Sequence, residues 1–135
     1  MRRPLSLGLW LAVVGWLSLG ASPAAAVEVI LPSQPDVSPD GKTVVFAWLG
    51  DLWTVPIEGG RARRLTTHPG RDQQPKYSPD GQRIAFISDR GLGDQVYLMP
   101  ARGGEPLPAT AHTAGYGLEA WHPDGEQLLV RGSRD

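Results

Sequence analysis

The stretch "KYSPDGQRIAFISDR", residues 76–90, decides the fold because its central tetrapeptide recurs along the chain. Ser78-Pro79-Asp80-Gly81 has an earlier copy at residues 38–41, and a later variant at residues 122–125 begins with His122 in place of serine. Proline at the second position presets φ, and glycine at the fourth takes positive φ, as in a hairpin turn with a bulge. The tetrapeptide therefore predicts the same turn three times.

A serine and an aspartate in this arrangement could instead belong to a catalytic site. That interpretation needs a base near Ser78, and the chain has no G-x-S-x-G elbow. A turn tolerates the loss of serine in the third copy, because the hydroxyl only bonds a turn amide. We therefore predict structural turns and no catalytic residue. The predicted turn residues are Ser38, Pro39, Asp40, Gly41, Ser78, Pro79, Asp80, Gly81, Pro123, Asp124 and Gly125.

The similarity extends beyond the turns. A shift of 40 residues places Phe46 on Phe86, and beyond Trp48 a shift of 44 residues places Thr66 on Thr110. The change of shift indicates a four-residue insertion in the second unit, near "DRGLGDQ", and we expect a loop there. Several matches in one register indicate an internal repeat.

Each repeat unit has the pattern of four short strands. In the second unit these are "PKYS", "QRIAFIS", "QVYLMPA" and "PLPATA"; the first unit has "TVVFAWL", "DLWTVPI" and "ARRLTT" at the last three places. Alternation in residues 83–88 puts Ile84 and Phe86 on one face and Ala85 and Ile87 on the other. No segment keeps a helical period over ten residues, so we expect no substantial helix after the leader.

Four-stranded units that repeat every 40 to 45 residues are typical of a β-propeller. We predict an all-β, incomplete propeller with blades at about residues 33–72, 73–116 and 117–135, the last truncated after its first hairpin. Propellers need at least four blades. We therefore expect the chain to be a fragment of a longer protein or a truncated reading frame.

Residues 1–26 have the pattern of a secretory signal peptide. Arg2 and Arg3 precede an apolar run, and Ala24-Ala25-Ala26 forms a small-residue cleavage site. We expect the propeller to occupy residues 27–135 and the protein to be exported, to a bacterial periplasm. Contact with a membrane is expected only through the signal peptide.

Composition and charge exclude several functions. The net charge of −1 gives no basic excess for nucleic acid, and the absence of cysteine excludes disulfides and thiolate chemistry. His68 and His112 occupy matching positions but lack carboxylates at ligand spacing, so we favour a packing or loop-bonding role over a metal site. We predict no cofactor and no metal.

Two further groups of residues remain open to interpretation. Asp89 and Arg90, in the expected inserted loop, could line a channel or bind substrate, although a solvated loop with a local ion pair is favoured. Four aromatic residues on predicted strands favour a core between blades. These are Trp48, Trp53, Tyr97 and Trp121.

The repeat resembles the WD40-like repeats of TolB and tricorn propellers. The resemblance rests on "SPDG" followed by "IAF", on "MPARGGE", and on "LTTH". Three phrases are similar to successive blades of tricorn-like peptidases of the S41 class: residues 50–70, 87–106 and 117–134. The resemblance covers residues 30–135. "PLPATA" and His122 depart from the family pattern.

The resemblance implies a parent protein that degrades peptides in the periplasm. Such peptidases carry propellers ahead of a PDZ domain and a catalytic core with a serine nucleophile. The implied role of the propeller is to gate or guide peptide substrates, and a homo-oligomeric parent is left open. Two alternatives share the repeats: a TolB-like propeller that binds partner proteins, and the propeller of a prolyl-oligopeptidase-like hydrolase.

Overall fold

A computed structural model describes residues 32–132 and shows ten strands in three antiparallel sheets. The first sheet holds β1 Ser33–Val37, β2 Thr43–Trp48, β3 Asp51–Pro56 and β4 Arg63–Arg64. The second holds β5 Asp72–Tyr77, β6 Arg83–Gly91, β7 Gly93–Pro100 and β8 Leu107–Pro108. The third pairs β9 Tyr116–Trp121 with β10 Leu128–Gly132.

The predicted all-β, incomplete propeller is confirmed, with two four-stranded sheets and a hairpin. Strands follow one another in chain order within each four-stranded sheet. The described residues include no helix, so within 32–132 no helix is available to cross a membrane. The predicted signal peptide, residues 1–26, lies outside the described residues.

The sheets pack face to face around two apolar clusters. The first cluster lies between the first and second sheets and contains Val45, Ala47, Leu52, Tyr77, Ile84, Phe86, Tyr97 and Met99. The second lies between the second and third sheets and contains Ala85, Ile87, Val96 and Leu118. Ile84 and Phe86 thus face one neighbour and Ala85 and Ile87 the other, so the predicted alternation is confirmed. Burial of both faces is what a blade requires.

The sheets radiate from their first strands. β1 contacts β5, and β5 contacts β9, whereas the fourth strands β4 and β8 do not touch each other. Among equivalent strands of neighbouring sheets, only the first strands are in contact, as expected when propeller blades radiate from a common axis.

The insertion in the second unit differs from the expected loop. It lengthens the β6–β7 hairpin, in which Ser88 pairs with Gln95 and Gly91 pairs with Gly93. Gly93 has a φ of 75°, and this left-handed conformation lets the chain reverse at Leu92. The fourth strands are also shorter than predicted, at two residues each.

The aromatic residues are divided between two environments. Tyr97 lies in the first cluster and Trp121 packs against the second, as predicted for a core between blades. Trp48 and Trp53 form an edge-to-face pair with ring centroids 5.2 Å apart. Because Val45 and Ala47 face the second sheet, strand alternation places Trp48 on the opposite face of the first sheet.

Candidate functional site

The second tetrapeptide forms a closed hairpin turn. The backbone N–H of Gly81 donates to the Ser78 carbonyl at 2.8 Å, and Gly81 has a φ of 73°. The Ser78 hydroxyl donates to Oδ1 of Asp80 at 2.6 Å and accepts from the backbone N–H of Arg83 at 2.9 Å. Ser78 is fully buried. Its hydroxyl is therefore engaged in the turn and inaccessible to a substrate.

The other two copies fold in the same way. Ser38 donates to Asp40 at 2.6 Å. In the third copy the backbone N–H of Gly125 donates to the His122 carbonyl at 2.9 Å, and Nδ1 of His122 lies 2.9 Å from Oδ2 of Asp124. Histidine thus replaces serine without loss of the turn, although His122 departs from the family pattern.

The turns stack on one another across the sheets. A Cβ added to Gly81 would lie 3.4 Å from Cδ of Pro39, and one added to Gly125 would lie 3.8 Å from Cδ of Pro79. Each glycine therefore packs under the proline of the preceding turn. The three turns form a column that runs from the first sheet to the third.

Hydrogen bonds hold the turn aspartates in their charged form. The Ser78 hydroxyl, followed by the backbone N–H of Gln82, lowers the pKa of Asp80. The Ser38 hydroxyl and then the N–H of Lys42 lower the pKa of Asp40. A carboxylate with a lowered pKa is a weaker base, which argues against general-base chemistry at these turns.

Polar contacts join the first strands of neighbouring sheets. Oδ2 of Asp36 accepts the backbone N–H of Tyr77 at 2.7 Å, and Oε1 of Gln34 accepts the backbone N–H of Gln74 at 2.9 Å. Between the second and third sheets, the Trp121 indole donates to the Lys76 carbonyl at 3.0 Å. These contacts fix the spacing between the first strands of neighbouring sheets.

Gln34 and Gln74 share an unusual backbone conformation. Each has a φ of 54°, and each lies where its strand bulges against the second strand of its sheet. They are 40 residues apart and therefore equivalent in the repeat. A left-handed conformation at a residue other than glycine costs about 1–3 kcal/mol. Its recurrence on successive first strands makes this part of the molecule a candidate site.

A cleft of about 320 Å³ opens beside Gln74, between the second and third sheets. Its walls include Gln74, Asp94, Tyr116 and Arg131. The cleft thus offers an amide, a carboxylate, a guanidinium and a phenol within one space. Such a set suits a ligand that carries both hydrogen-bond donors and acceptors. These four residues form no motif in the sequence, and the one signal that points to them is the match of Gln34 with Gln74 at the 40-residue shift.

Arg90 is not part of a solvated loop, contrary to expectation. Its Nη2 lies 2.8 Å from both carboxylate oxygens of Asp72, and its side chain is only 11% exposed. The guanidinium lies 5.4 Å from the Phe86 ring centroid and 5.0 Å from that of Tyr97. The lengthened hairpin carries Arg90 onto these rings. Asp89 accepts the backbone N–H of Arg71 at 2.6 Å.

His68 and His112 bond to their own loops. Nδ1 of His68 accepts the N–H of Gly70 at 2.9 Å, and Nδ1 of His112 accepts the N–H of Ala114 at 3.2 Å. Within residues 32–132, no group of three or more His, Asp or Glu side chains converges where a metal ion could sit.

Radial four-stranded sheets joined at their first strands define the chain as part of a β-propeller. The family model described as the tricorn protease N-terminal beta propeller domain matches residues 30–135. The chain belongs to this family.

Curated relatives show the same likeness over a small part of their length. The chain is 31% identical over 113 residues to the uncharacterized peptidase YuxL of Bacillus subtilis, covering 76% of this chain and 17% of the relative. It is 33% identical over 94 residues to tricorn protease homolog 1 of Streptomyces coelicolor, covering 68% of this chain and 9% of the relative. The chain thus spans less than a fifth of these relatives.

Solved structures share the fold. A putative TolB from Agrobacterium tumefaciens is 27% identical with a TM-score of 0.69, covering 77% of this chain and 39% of that one. The tricorn protease is 24% identical with a TM-score of 0.64, covering 74% of this chain and 10% of that one.

Proposed function

We propose that this chain is the propeller portion of an exported tricorn-like serine peptidase of the S41 class, which guides peptides to a catalytic core elsewhere in the protein. The observation that carries the proposal is membership of the tricorn propeller family over residues 30–135. Its blades are proposed at residues 33–72, 73–116 and from residue 117 onward.

The cleft at the first strands is the proposed contact with the peptide. Gln74 and Asp94 supply donor and acceptor groups of the kind that pair with the amides of an extended backbone. Arg131, whose side chain is 82% exposed and forms an exposed ion pair with Glu119, places a cation beside the cleft that can meet a carbonyl or a carboxylate. Neutral and charged groups together suit a peptide better than a phosphate ligand, which favours clustered cations.

A TolB-like partner-binding propeller is the second candidate. It is favoured by the likeness to the Agrobacterium tumefaciens protein, which at a TM-score of 0.69 exceeds that to the tricorn protease. Both candidates predict a periplasmic protein, so export alone does not distinguish them.

Sequencing the gene beyond codon 135 distinguishes the candidates directly. Codons for a PDZ domain and an S41 core support the proposal. A stop soon after further blades supports the TolB-like alternative, and an α/β-hydrolase with a G-x-S-x-G elbow supports a prolyl-oligopeptidase-like parent. Fractionation of the native host, with N-terminal sequencing of the product, tests export; a cytoplasmic product that keeps residues 1–26 would contradict it.

A further inference from the structure

A cavity of about 350 Å³ lies between the first and second sheets, beside the column of turns. Both turns and both sheets contribute to its walls, which include Asp40, Thr43, Tyr77, Asp80 and Gly81. We call this space the turn cavity. Both sheets that border it belong to the part of the chain that the structure describes, so it can be compared with the next junction between sheets.

Three residues of the turn cavity have counterparts at the junction of the second and third sheets. The shifts of 40 and 44 residues give these counterparts as Arg83 for Thr43, Trp121 for Tyr77 and Gly125 for Gly81. The backbone agrees at these places, because the two turn glycines have φ values of 73° and 75°. The two junctions therefore have the same frame with different side chains.

Arg83 fills this place at the second junction. Its Nη2 donates to the Gly125 carbonyl at 2.6 Å, and its guanidinium carbon lies 5.1 Å from the centroid of the Trp121 ring. The side chain thus reaches from the second sheet to the turn of the third. A turn carbonyl with an aromatic residue beside it is therefore a guanidinium site that the chain itself occupies.

Threonine leaves the same place open at the first junction. Thr43 is too short to span the junction as Arg83 does, and within residues 32–132 no hydrogen bond is donated to the Gly81 carbonyl. A cavity of about 150 Å³ is large enough to bind benzene. The turn cavity therefore has room for a guanidinium and for the alkyl chain that carries it.

Carboxylates from the turns favour a cation at this end of the cavity. Oδ1 of Asp40 and Oδ1 of Asp80 accept the hydrogen bonds of their turns, and neither Oδ2 has a hydrogen bond or ion pair within residues 32–132. Arg63 on β4 and Arg102 in the β7–β8 turn also line the cavity. The walls thus suit a ligand that presents a cation to the turns and a polar or anionic group to the arginines.

The first junction is also more polar than the second. Oγ1 of Thr54 is buried without a hydrogen-bond partner among residues 32–132. Burial raises the pKa of the Tyr77 phenol, and the neighbouring Thr54 hydroxyl opposes that rise. Apolar Leu98 holds the place of Thr54 in the second sheet. Since buried hydroxyl groups normally have a partner, this wall favours a polar occupant.

We propose that the turn cavity binds the guanidinium group of arginine, in the place that Arg83 takes at the next junction. The guanidinium donates to the Gly81 carbonyl, and the carboxylates of Asp40 and Asp80 balance its charge. The inference does not rest on the proposed function, because the peptide cleft beside Gln74 lies between the second and third sheets.

Ligand titration of the full chain, followed by nitrogen-15 NMR, tests the proposal. The probes are N-acetyl-L-argininamide and N-acetyl-L-citrullinamide, which has the same length and no charge. We expect saturable shifts concentrated at the amides of Thr43, Tyr77 and Gly81. The citrulline amide should bind about tenfold more weakly, because charge-assisted hydrogen bonds are about twice as strong as neutral ones. Equal affinities, or shifts that avoid these residues, overturn the proposal.

Free L-arginine distinguishes two sources of the guanidinium. If it binds more tightly than the argininamide, the ligand is the free amino acid, whose carboxylate meets Arg63 or Arg102. If the argininamide binds as tightly or more tightly, the ligand is an arginine residue of a polypeptide. If neither binds more tightly than the citrulline amide, the proposal is wrong.

Thr43→Arg installs the residue of the second junction and should fill the cavity from within. We expect affinity for the argininamide to fall at least about tenfold. The matched control Lys42→Arg adds the same side chain one residue earlier, outside the lining of the cavity, and should keep the affinity intact. Unchanged affinity in Thr43→Arg contradicts the proposal.

Arg83→Thr is the reciprocal variant, for the event that Thr43→Arg does not fold. It empties the second junction and should create a second site, seen as shifts at Gly125 and Trp121 with the argininamide and much smaller shifts with the citrulline amide. A folded Arg83→Thr chain in which Gly125 does not respond contradicts the equivalence of the two junctions and overturns the proposal.

Discussion

Asp36 on β1 and Tyr77 on β5 are joined by a 2.7 Å hydrogen bond from the Tyr77 backbone N–H to Oδ2 of the Asp36 carboxylate. The bond ties the first strand of one sheet to the first strand of the next. It satisfies a backbone donor at the inner edge of the second sheet, where no further strand of that sheet is present among residues 32–132 to accept it.

Removing this acceptor should weaken the packing of the first two sheets. Asp36→Ala is expected to lower the free energy of unfolding by about 1–3 kcal/mol, the cost of leaving a buried donor unsatisfied. Asp36→Asn keeps an acceptor oxygen and should lose less. Urea denaturation measures the difference, with Glu58→Ala, at an exposed turn, as control. Equal losses for Asp36→Ala and Asp36→Asn would contradict the role assigned to the bond.

The buried ion pair between Asp72 and Arg90 should be costly to break. The Asp72 side chain is fully buried, and Asp72→Ala would leave the guanidinium unpaired over Phe86 and Tyr97. We expect a loss of about 3–5 kcal/mol in chemical denaturation. The matched control is Glu119→Ala, which breaks an exposed pair with Arg131 and should cost less than about 1 kcal/mol. Similar losses for the two variants would refute the assignment.

The pKa values of Asp80 and Asp124 should change by different amounts when the first residue of each turn is replaced by alanine. Ser78→Ala removes the largest cause of the lowered pKa of Asp80, so that pKa should rise towards its ordinary value. The largest cause at Asp124 is the backbone N–H of Glu126, so His122→Ala should raise the pKa of Asp124 less. Carbon-13 NMR titration of the side-chain carboxyl groups measures both values, and a larger rise at Asp124 would be inconsistent with these contacts.

The lowered pKa values of the turn aspartates also determine how the stability of the fold changes with pH. A carboxyl whose pKa is lower in the folded state contributes stability above its unfolded pKa of about 4 and loses it as pH falls through the folded value. Asp40, Asp80 and Asp124 all have lowered pKa values. The midpoint denaturant concentration should therefore decrease as the pH is lowered below about 4, and this decrease should be smaller in Ser78→Ala. A midpoint that rises on acidification would oppose this account.

Gly70 should not tolerate a side chain. A Cβ at this position would lie 2.8 Å from Cα and 2.9 Å from N of Arg90, both of them backbone atoms. We expect Gly70→Ala to cost about 1–3 kcal/mol by overpacking. Gly117→Ala is the matched control, since its nearest contacts with Arg131 begin at 3.8 Å. The prediction fails if thermal denaturation ranks Gly117→Ala as the more damaging change.

The repeat makes the architecture predictable from sequence. The shift of 40 and then 44 residues locates the turns and assigns the two faces of β6 from residue spacing alone. Successive side chains on a strand point to opposite faces, which is a local property of the backbone. Both faces of β6 are buried, so apolar residues occupy both sets of positions, with Ile84 and Phe86 on one face and Ala85 and Ile87 on the other.

Contacts that depend on tertiary geometry could not be predicted in the same way. The position of Arg90 depends on whether four extra residues form a loop or extend a hairpin, and polar letters such as "SDRG" favour a loop. The positive φ of Gln34 and Gln74 has no residue-type signal, because glutamine does not favour that conformation.

Peptide contact at Gln74 is the central claim, and site-specific crosslinking tests it most directly. The chain has no native cysteine, so Gln74→Cys and the exposed control Ile57→Cys each carry one thiol. Each variant is labelled with 4-maleimidobenzophenone and irradiated with an unstructured biotinylated peptide. We predict several-fold more crosslinking at residue 74 than at residue 57, abolished by excess unlabelled peptide. Equal yields at the two positions, or no competition, would contradict the account.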